Sequence, residues 1–353
     1  MSIKGGISFY LLDYADIEKS IYYITKANEM GIDEVFTSFQ YGNMDDVLHV
    51  LSKCQDLNLN VAADINNQIF KKYCKDYNDL SVFKEMGLSG IRLDYGFHLE
   101  QLAEMTWNHS NLQIGINALL DNKEQKLFKK IKFNHPNVFA SFNYYPRVES
   151  GMSQSYLISQ SQFFYQQNIS LRVFIAGESS KRGPIFGGLP TLEYHRYSFA
   201  PSSSSFYHLV KGIDVIYIGD PFIHHNELQH FKRSLDKETI WIKVVPTKML
   251  SEIEYQILFN TQHVLRKDES EWVHRSSAGR LKNDWVGKGE CLERPKGSIT
   301  IDNEFYGRYM GELQIIKKDL PSDERVNLVA KIVNGDQYIL EHLTGGMKIQ
   351  FYK

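Results

Sequence analysis

Eight short apolar or β-branched runs occupy the first two thirds of the chain, at 6–10, 35–38, 61–64, 91–94, 113–117, 139–143, 171–178 and 215–220. Most of them end on a polar residue able to do chemistry. The stretches between them read as helices. Ile17, Ile21, Ile24 and Ala27 recur at helical spacing before Gly31, and Val47, Leu48, Leu51 and Leu57 repeat the pattern. Residues 154–167 and 226–235 carry two more such segments. Each helix-plus-strand unit spans roughly 25–35 residues, the size of a βα unit. Parallel strands alternating with crossover helices close as a barrel, with chemistry at the C-terminal ends of the strands. The pattern therefore predicts an α/β fold, a (β/α)₈ TIM barrel, and the address of a site.

From Thr239 onward helical periodicity gives way to alternation, at 240–245, 297–301, 313–316 and 326–333. Asn334-Gly335 reads as a hairpin turn because both positions tolerate positive φ. Residues 345–352 alternate like an edge or closing strand. The expected organisation is a barrel at 1–236 followed by a small all-β domain at 237–353. The four serines Ser202–Ser205 after Pro201 read as a helix-start cap cluster.

Bulk properties narrow the class. The formal net charge of −2 over 353 residues leaves no global field for nucleic acid or an anionic membrane. Cys54, Cys74 and Cys291 are unpaired in spacing, which suits a reducing compartment. The apolar run at 7–12 meets Asp13 and Asp16 without a cleavage-site pattern, and no segment has the length of a membrane span. A cytoplasmic protein is expected, with homo-oligomerisation left open.

Carboxylates dominate the expected site. Asp64, Asp94 and Asp220 stand at strand ends, with Glu178 and Glu193 just beyond the seventh strand. Two carboxyls flanking an acetal, one protonated and one ionised, are the equipment of glycoside hydrolysis. A strand-end Asp can equally cap the next helix or pair with an Arg. Lys181, Arg182 and Gly183 form a basic loop after strand seven, where barrels build phosphate sites, although a solvated surface loop has the same composition. Asn143, Tyr145 and Arg147 follow strand six and suit sugar recognition, with alternation sending Tyr144 to the opposite side. Asn117 ends strand five. His224 and His225 lack metal-ligand spacing, and His195 reads as a polar neighbour of the site. No lysine stands at a strand end for Schiff-base chemistry, and no nucleotide-binding glycine motif follows a strand. Neither a metal nor a cofactor is expected.

Five motifs then carry a resemblance over nearly the whole chain: IRLDYGF at 91–97, NYYP at 143–146, GLPTLEYHR at 188–196, YGRYMGE at 306–312 and LPSDERVN at 320–327. The sequence resembles the 6-phospho-N-acetylmuramidases of the MupG type. That resemblance implies a (β/α)₈ barrel joined to a cyclophilin-like β-domain. It also implies hydrolysis of a phosphorylated amino-sugar disaccharide, MurNAc-6-phosphate–GlcNAc, from its non-reducing end during peptidoglycan recycling. On this reading Asp94 and Glu193 are the catalytic carboxyls, with Asp64 in reserve. Lys181, Arg182, Gly183 and Arg196 would meet the phosphate, and Arg147 the lactyl carboxylate. Asn117, Asn143, Tyr145 and His195 would position the sugar. The substrate's acetamido group also allows substrate assistance. Two competitors remain at this point: a phosphosugar isomerase or epimerase on the same barrel, and a non-enzymatic sugar-phosphate-binding protein.

Overall fold

A computed structural model of the chain describes residues 3–12, 16–40, 42–93, 96–236, 238–282 and 284–353. Eight parallel strands close into a barrel. They are β1 (Lys4–Ser8), β2 (Glu34–Ser38), β3 (Asn60–Ile65), β4 (Gly90–Leu93), β5 (Gln113–Asn117), β6 (Val138–Ser141), β7 (Ser170–Ile175) and β8 (Ile213–Ile218). Strand β1 completes the ring by pairing with β8 as well as β2. The expected runs and these strands coincide closely, except that β1, β4, β6, β7 and β8 end one to three residues before the last residue of the run assigned to them.

Local chemistry explains the crossover helices. The helix Asp16–Glu29 buries Ile17, Tyr23, Ile24 and Ala27 and places Asp16 and Glu18 in its first turn, where the helix dipole favours negative charge. The helix Met44–Asp56 starts where the Asn43 side chain accepts from the Asp45 N–H. Inside the barrel, Phe36, Phe139, Phe174 and Tyr217 fill the interior, with Phe36 and Phe174 edge to face at 4.9 Å between centroids. The floor beneath the site is thus rigid and aromatic.

By compactness the chain divides into two units, Met1–Arg196 with Val210–Leu235, and Tyr197–Leu209 with Asp236–Lys353. The helix Ala200–His208 therefore packs within the second unit. Its serines are not caps. Phe199 holds the cap position without a side-chain bond, and Ser202 to Ser205 are all buried. Ser202 donates to Asp336, Ser204 and Ser205 donate to carbonyls one turn back, and Ser205 accepts from the Trp241 N–H. A serine run inside a buried helix can satisfy its hydroxyls this way, which makes composition alone ambiguous.

The second unit is built on a sheet that has seven strands among the described residues. They are β9 (Thr239–Pro246), β10 (His263–Val264), β11 (Val273–Ser276), β12 (Ser298–Asp302), β13 (Leu313–Ile316), β14 (Val326–Ile332) and β15 (Lys348–Tyr352). The spatial order is β10-β15-β9-β14-β12-β13-β11. Ile240, Ile242, Ile299, Ile301, Val329 and Phe351 share one buried core. Two expectations are corrected here. Strand β15 is internal, parallel to β9 on one side and antiparallel to β10 on the other. Asn334-Gly335 makes no hairpin, because it opens the helical turns Asn334–His342. Gly335 is needed there for another reason: a Cβ would stand 1.8 Å from the Tyr197 carbonyl oxygen.

One buried acid in this unit has a measurable consequence. Asp302 is 1% exposed and its Oδ1 has no hydrogen-bond partner. Burial, reinforced by the charges of Glu312 and Asp323, pushes its carboxyl up to about 8 from an ordinary 3.8. The folded state therefore keeps a proton that the unfolded state releases near pH 4. Stability should fall as pH rises from about 4 to about 8. Asp302→Asn removes this term, so its stability relative to wild type should grow with pH in urea titrations at pH 5 and pH 8. An unchanged difference between the two would contradict the assignment.

Candidate active site

The C-terminal ends of β2, β3, β4 and β6 converge on a polar cavity of about 260 Å³, lined by Ser38, Gln40, Asp64, Arg92, Asn143, Tyr144 and Tyr145. Asp64 projects from β3 and is 5% exposed. Arg92 projects from β4 and is 3% exposed. Its Nη1 donates to both Asp64 oxygens, at 2.9 and 3.0 Å, and its Nη2 donates to Asn143 Oδ1. One guanidinium thus fixes a carboxylate and an amide on neighbouring walls of the cavity. The pair is a salt bridge with both side chains buried. Of the expected site residues, Asp64, Asn143 and Tyr145 meet here. Asp94 lies outside the described residues.

Asn143 to Tyr145 all line this cavity, contrary to the alternation expected of a strand, because β6 has already ended at Ser141. Tyr144 leans over the barrel floor, edge to face with Tyr10, Phe36 and Phe174. Its hydroxyl accepts from Arg182 Nη1 at 3.3 Å. The Arg182 guanidinium lies over the Tyr10 ring at 4.4 Å and the Tyr144 ring at 5.2 Å. Loop seven therefore reaches the cavity through the Arg182–Tyr144 contact. Burial pushes the Tyr145 phenol up, so it stays a neutral donor at physiological pH.

Asp220 organises that loop. It is fully buried and accepts from the N–H groups of Gly177, Arg182 and Leu189 at 2.9, 2.9 and 3.0 Å. Burial pushes its carboxyl up while these three bonds oppose the rise. Lys181 turns its Nζ to the Arg196 carbonyl at 3.4 Å. Gly183 precedes Pro184 through a cis peptide.

Glu193 and Arg196 sit away from the cavity lining and are committed to each other. Arg196 Nε and Nη2 reach the two Glu193 oxygens at 2.6 and 2.7 Å. The same carboxylate accepts from the Glu149 and Gly151 N–H groups at 2.9 and 2.6 Å. The remaining Arg196 donors go to the carbonyls of Tyr145, Arg147, Gly187 and Gly188. Arg196 is 2% exposed, with every guanidinium nitrogen engaged, which leaves no face for a phosphate. His195 is fully buried, and burial lowers its imidazole to about 3, so it is neutral and out of a ligand's reach. Asn117 Oδ1 accepts from the Leu119 N–H, and Arg147 is exposed with a 3.5 Å contact to the Val148 carbonyl. Glu227 receives the N–H groups of Glu178 and Ser179.

The Glu193 contacts carry a pH signature. Its hydrogen bonds to Arg196, helped by the two N–H groups, hold its carboxyl down at about 2 against an ordinary 4.5. A depressed carboxylate stabilises the fold above its unfolded value, and that contribution disappears as pH falls from about 4.5 toward 2. The stability deficit of Glu193→Gln relative to wild type should therefore be largest at pH 6 and much smaller at pH 2.5, read from unfolding curves at both. A gap independent of pH would contradict the clamp.

Sequence reasoning passed over Arg92, Ser38, Gln40 and Tyr144. The signal for Arg92 was present, since a charged residue inside a barrel-strand run has to face something polar. Likeness to known proteins decides the family. Family models for the N-terminal and C-terminal parts of 6-phospho-N-acetylmuramidase match residues 5–233 and 240–352. The chain belongs to the 6-phospho-N-acetylmuramidase family. It is accordingly a glycoside hydrolase, with the barrel and the separate mostly-sheet unit that the resemblance implies. Two crystal structures share this two-part architecture. One is of an uncharacterized B. cereus protein, with 29% identity, a TM-score of 0.85 and complete coverage of both chains. The other is a conserved Enterococcus faecalis protein of unknown function, with 29% identity, a TM-score of 0.78, and coverage of 99% of this chain and 96% of that one. No curated protein matches the chain. Among the described residues, no helix is long and apolar enough to cross a membrane.

Proposed function

We propose that this member of the 6-phospho-N-acetylmuramidase family releases MurNAc-6-phosphate from the non-reducing end of MurNAc-6-phosphate–GlcNAc in the cytoplasm, a step of cell-wall recycling. The observation that carries the reading is a buried carboxylate, Asp64, salt-bridged to Arg92 beside Asn143 at the mouth of a barrel of this family. Asp64 acts as the charged partner that stabilises the oxocarbenium-like centre, captures it, or orients the acetamido group. Asp94, two residues beyond Arg92 in the RLDxGF motif, is assigned the acid that protonates the glycosidic oxygen. Glu193 moves from a catalytic to a positioning role. Its clamp with Arg196 fixes the carbonyl of Tyr145, a wall residue of the cavity.

Arg182, supported by Lys181, is assigned the 6-phosphate, with the guanidinium offering a two-pronged contact from beside Tyr144. Arg147 meets the lactyl carboxylate, and Asn143 and Tyr145 hold the sugar. Arg182→Met should lower kcat/KM for the phosphorylated disaccharide by about 100-fold and change that for the unphosphorylated one much less. Equal losses on both would remove the phosphate assignment. The reaction class is tested by the products. Incubation with MurNAc-6-phosphate–GlcNAc in deuterated water should yield free GlcNAc and MurNAc-6-phosphate without carbon-bound deuterium. Deuterium incorporation without cleavage would assign the barrel to isomerase chemistry instead.

A further inference from the structure

The opposite end of the barrel holds groups that the reaction at the mouth does not use. At the N-terminal ends of the strands, a cavity of about 550 Å³ is lined by Arg172, Gln113, Ser170, Glu34, Asn60 and Asp214, among others. Arg172 comes from β7 and is 7% exposed. Its guanidinium lies flat on the Phe139 ring at 3.5 Å, a ring that occupies the space a Cβ on Gly115 would need. Nη2 donates to Gln113 Oε1 at 2.8 Å and Nη1 to the Tyr217 hydroxyl at 3.3 Å. Nε has no hydrogen-bond partner.

Both of those partners are neutral, and among the described residues Arg172 forms no salt bridge. Glu34, in the same cavity, is occupied by Lys4 at 2.8 Å and by Asn60 at 3.3 Å. A guanidinium buried without a counter-anion is costly, and a barrel end serving only as scaffold would be filled with apolar side chains instead. Here the aromatic support and two acceptors hold the cation in place while the cavity stays polar. The bound anion would have to be small and singly charged, since Glu34 and Asp214 face the same space and repel a dianion more strongly.

We propose that this cavity is a second ligand site, which takes a small monocarboxylate on the Arg172 guanidinium. Its oxygens accept the guanidinium protons left over from Gln113 and Tyr217, and Ser170 lines the wall beside it. The site is independent of the proposed reaction, and its test needs no substrate. The full-length protein labelled with ¹⁵N-arginine is titrated with acetate, and separately with inorganic phosphate, at constant ionic strength. The Arg172 side-chain resonance, assigned by its loss in Arg172→Lys, should shift saturably with acetate in the millimolar range. Ser170→Phe fills the cavity and leaves the arginine in place, so it should abolish the saturable shift even if Arg172→Lys does not fold. A linear or absent response to acetate, saturation by phosphate alone, or the same shift in wild type and Ser170→Phe would each overturn the proposal.

Discussion

Asp64→Asn is expected to lower kcat/KM by about 10³ or more, because the substitution removes the one described carboxylate that lines the barrel-mouth cavity. The amide keeps an acceptor for Arg92, so the local shape survives while the charge is lost. Some stability is lost as well, since Arg92 loses its buried ion pair with Asp64. Activity should therefore be measured well below the melting transition of the variant. Arg92→Lys separates the two effects. It retains a cation but loses the fork that ties Asp64 to Asn143, so it should raise KM and lower kcat less than Asp64→Asn does. A folded Asp64→Asn enzyme within tenfold of wild type would clear Asp64 of a role in the chemistry.

Arg196→Met should produce the largest loss of stability. The side chain makes six hydrogen bonds, two to Glu193 and four to the carbonyls of Tyr145, Arg147, Gly187 and Gly188. Removing it leaves a carboxylate without its cation and several carbonyls without donors. Each carbonyl left without a donor costs about 1–3 kcal/mol, so the total loss is on the order of 3–5 kcal/mol. For a domain of this size that lowers the melting temperature by on the order of 10 °C. Glu193→Gln should lose less, because an amide can still accept from the Glu149 and Gly151 N–H groups. Differential scanning calorimetry compares the three proteins. A shift under about 2 °C for Arg196→Met would mean that these loops hold together without the clamp.

The barrel was legible because its signal is local: each strand run and each helical stripe is written in contiguous residues. The site was legible only in part. Asp64, Asn143 and Tyr145 could be found from strand ends, since the C-terminal face collects them whatever the loops do. Glu193 and Arg196 stand three apart in a conspicuous motif, but their shared partners lie in separate stretches at 145–151 and 187–188. Nothing local reports that closure, so the motif alone offered Glu193 as a catalytic acid and Arg196 as a phosphate ligand and gave no sign of their contacts to each other and to these loops. Tyr144 was misplaced because alternation stops where β6 stops, one residue beyond Ala140. Asn334-Gly335 shows the same limit, for its glycine answers the Tyr197 backbone, more than 100 residues away, and not a turn.

The proposed activity is cleavage of a 6-phosphorylated muramyl glycoside at the barrel mouth. Its most direct test is a side-by-side measurement of kcat/KM for MurNAc-6-phosphate–GlcNAc and for MurNAc–GlcNAc with the wild-type protein. The phosphorylated disaccharide should be hydrolysed at least about 100-fold more efficiently, the discrimination expected of charge-assisted phosphate recognition by a guanidinium. Equal turnover of the two, or turnover of neither, would contradict the account.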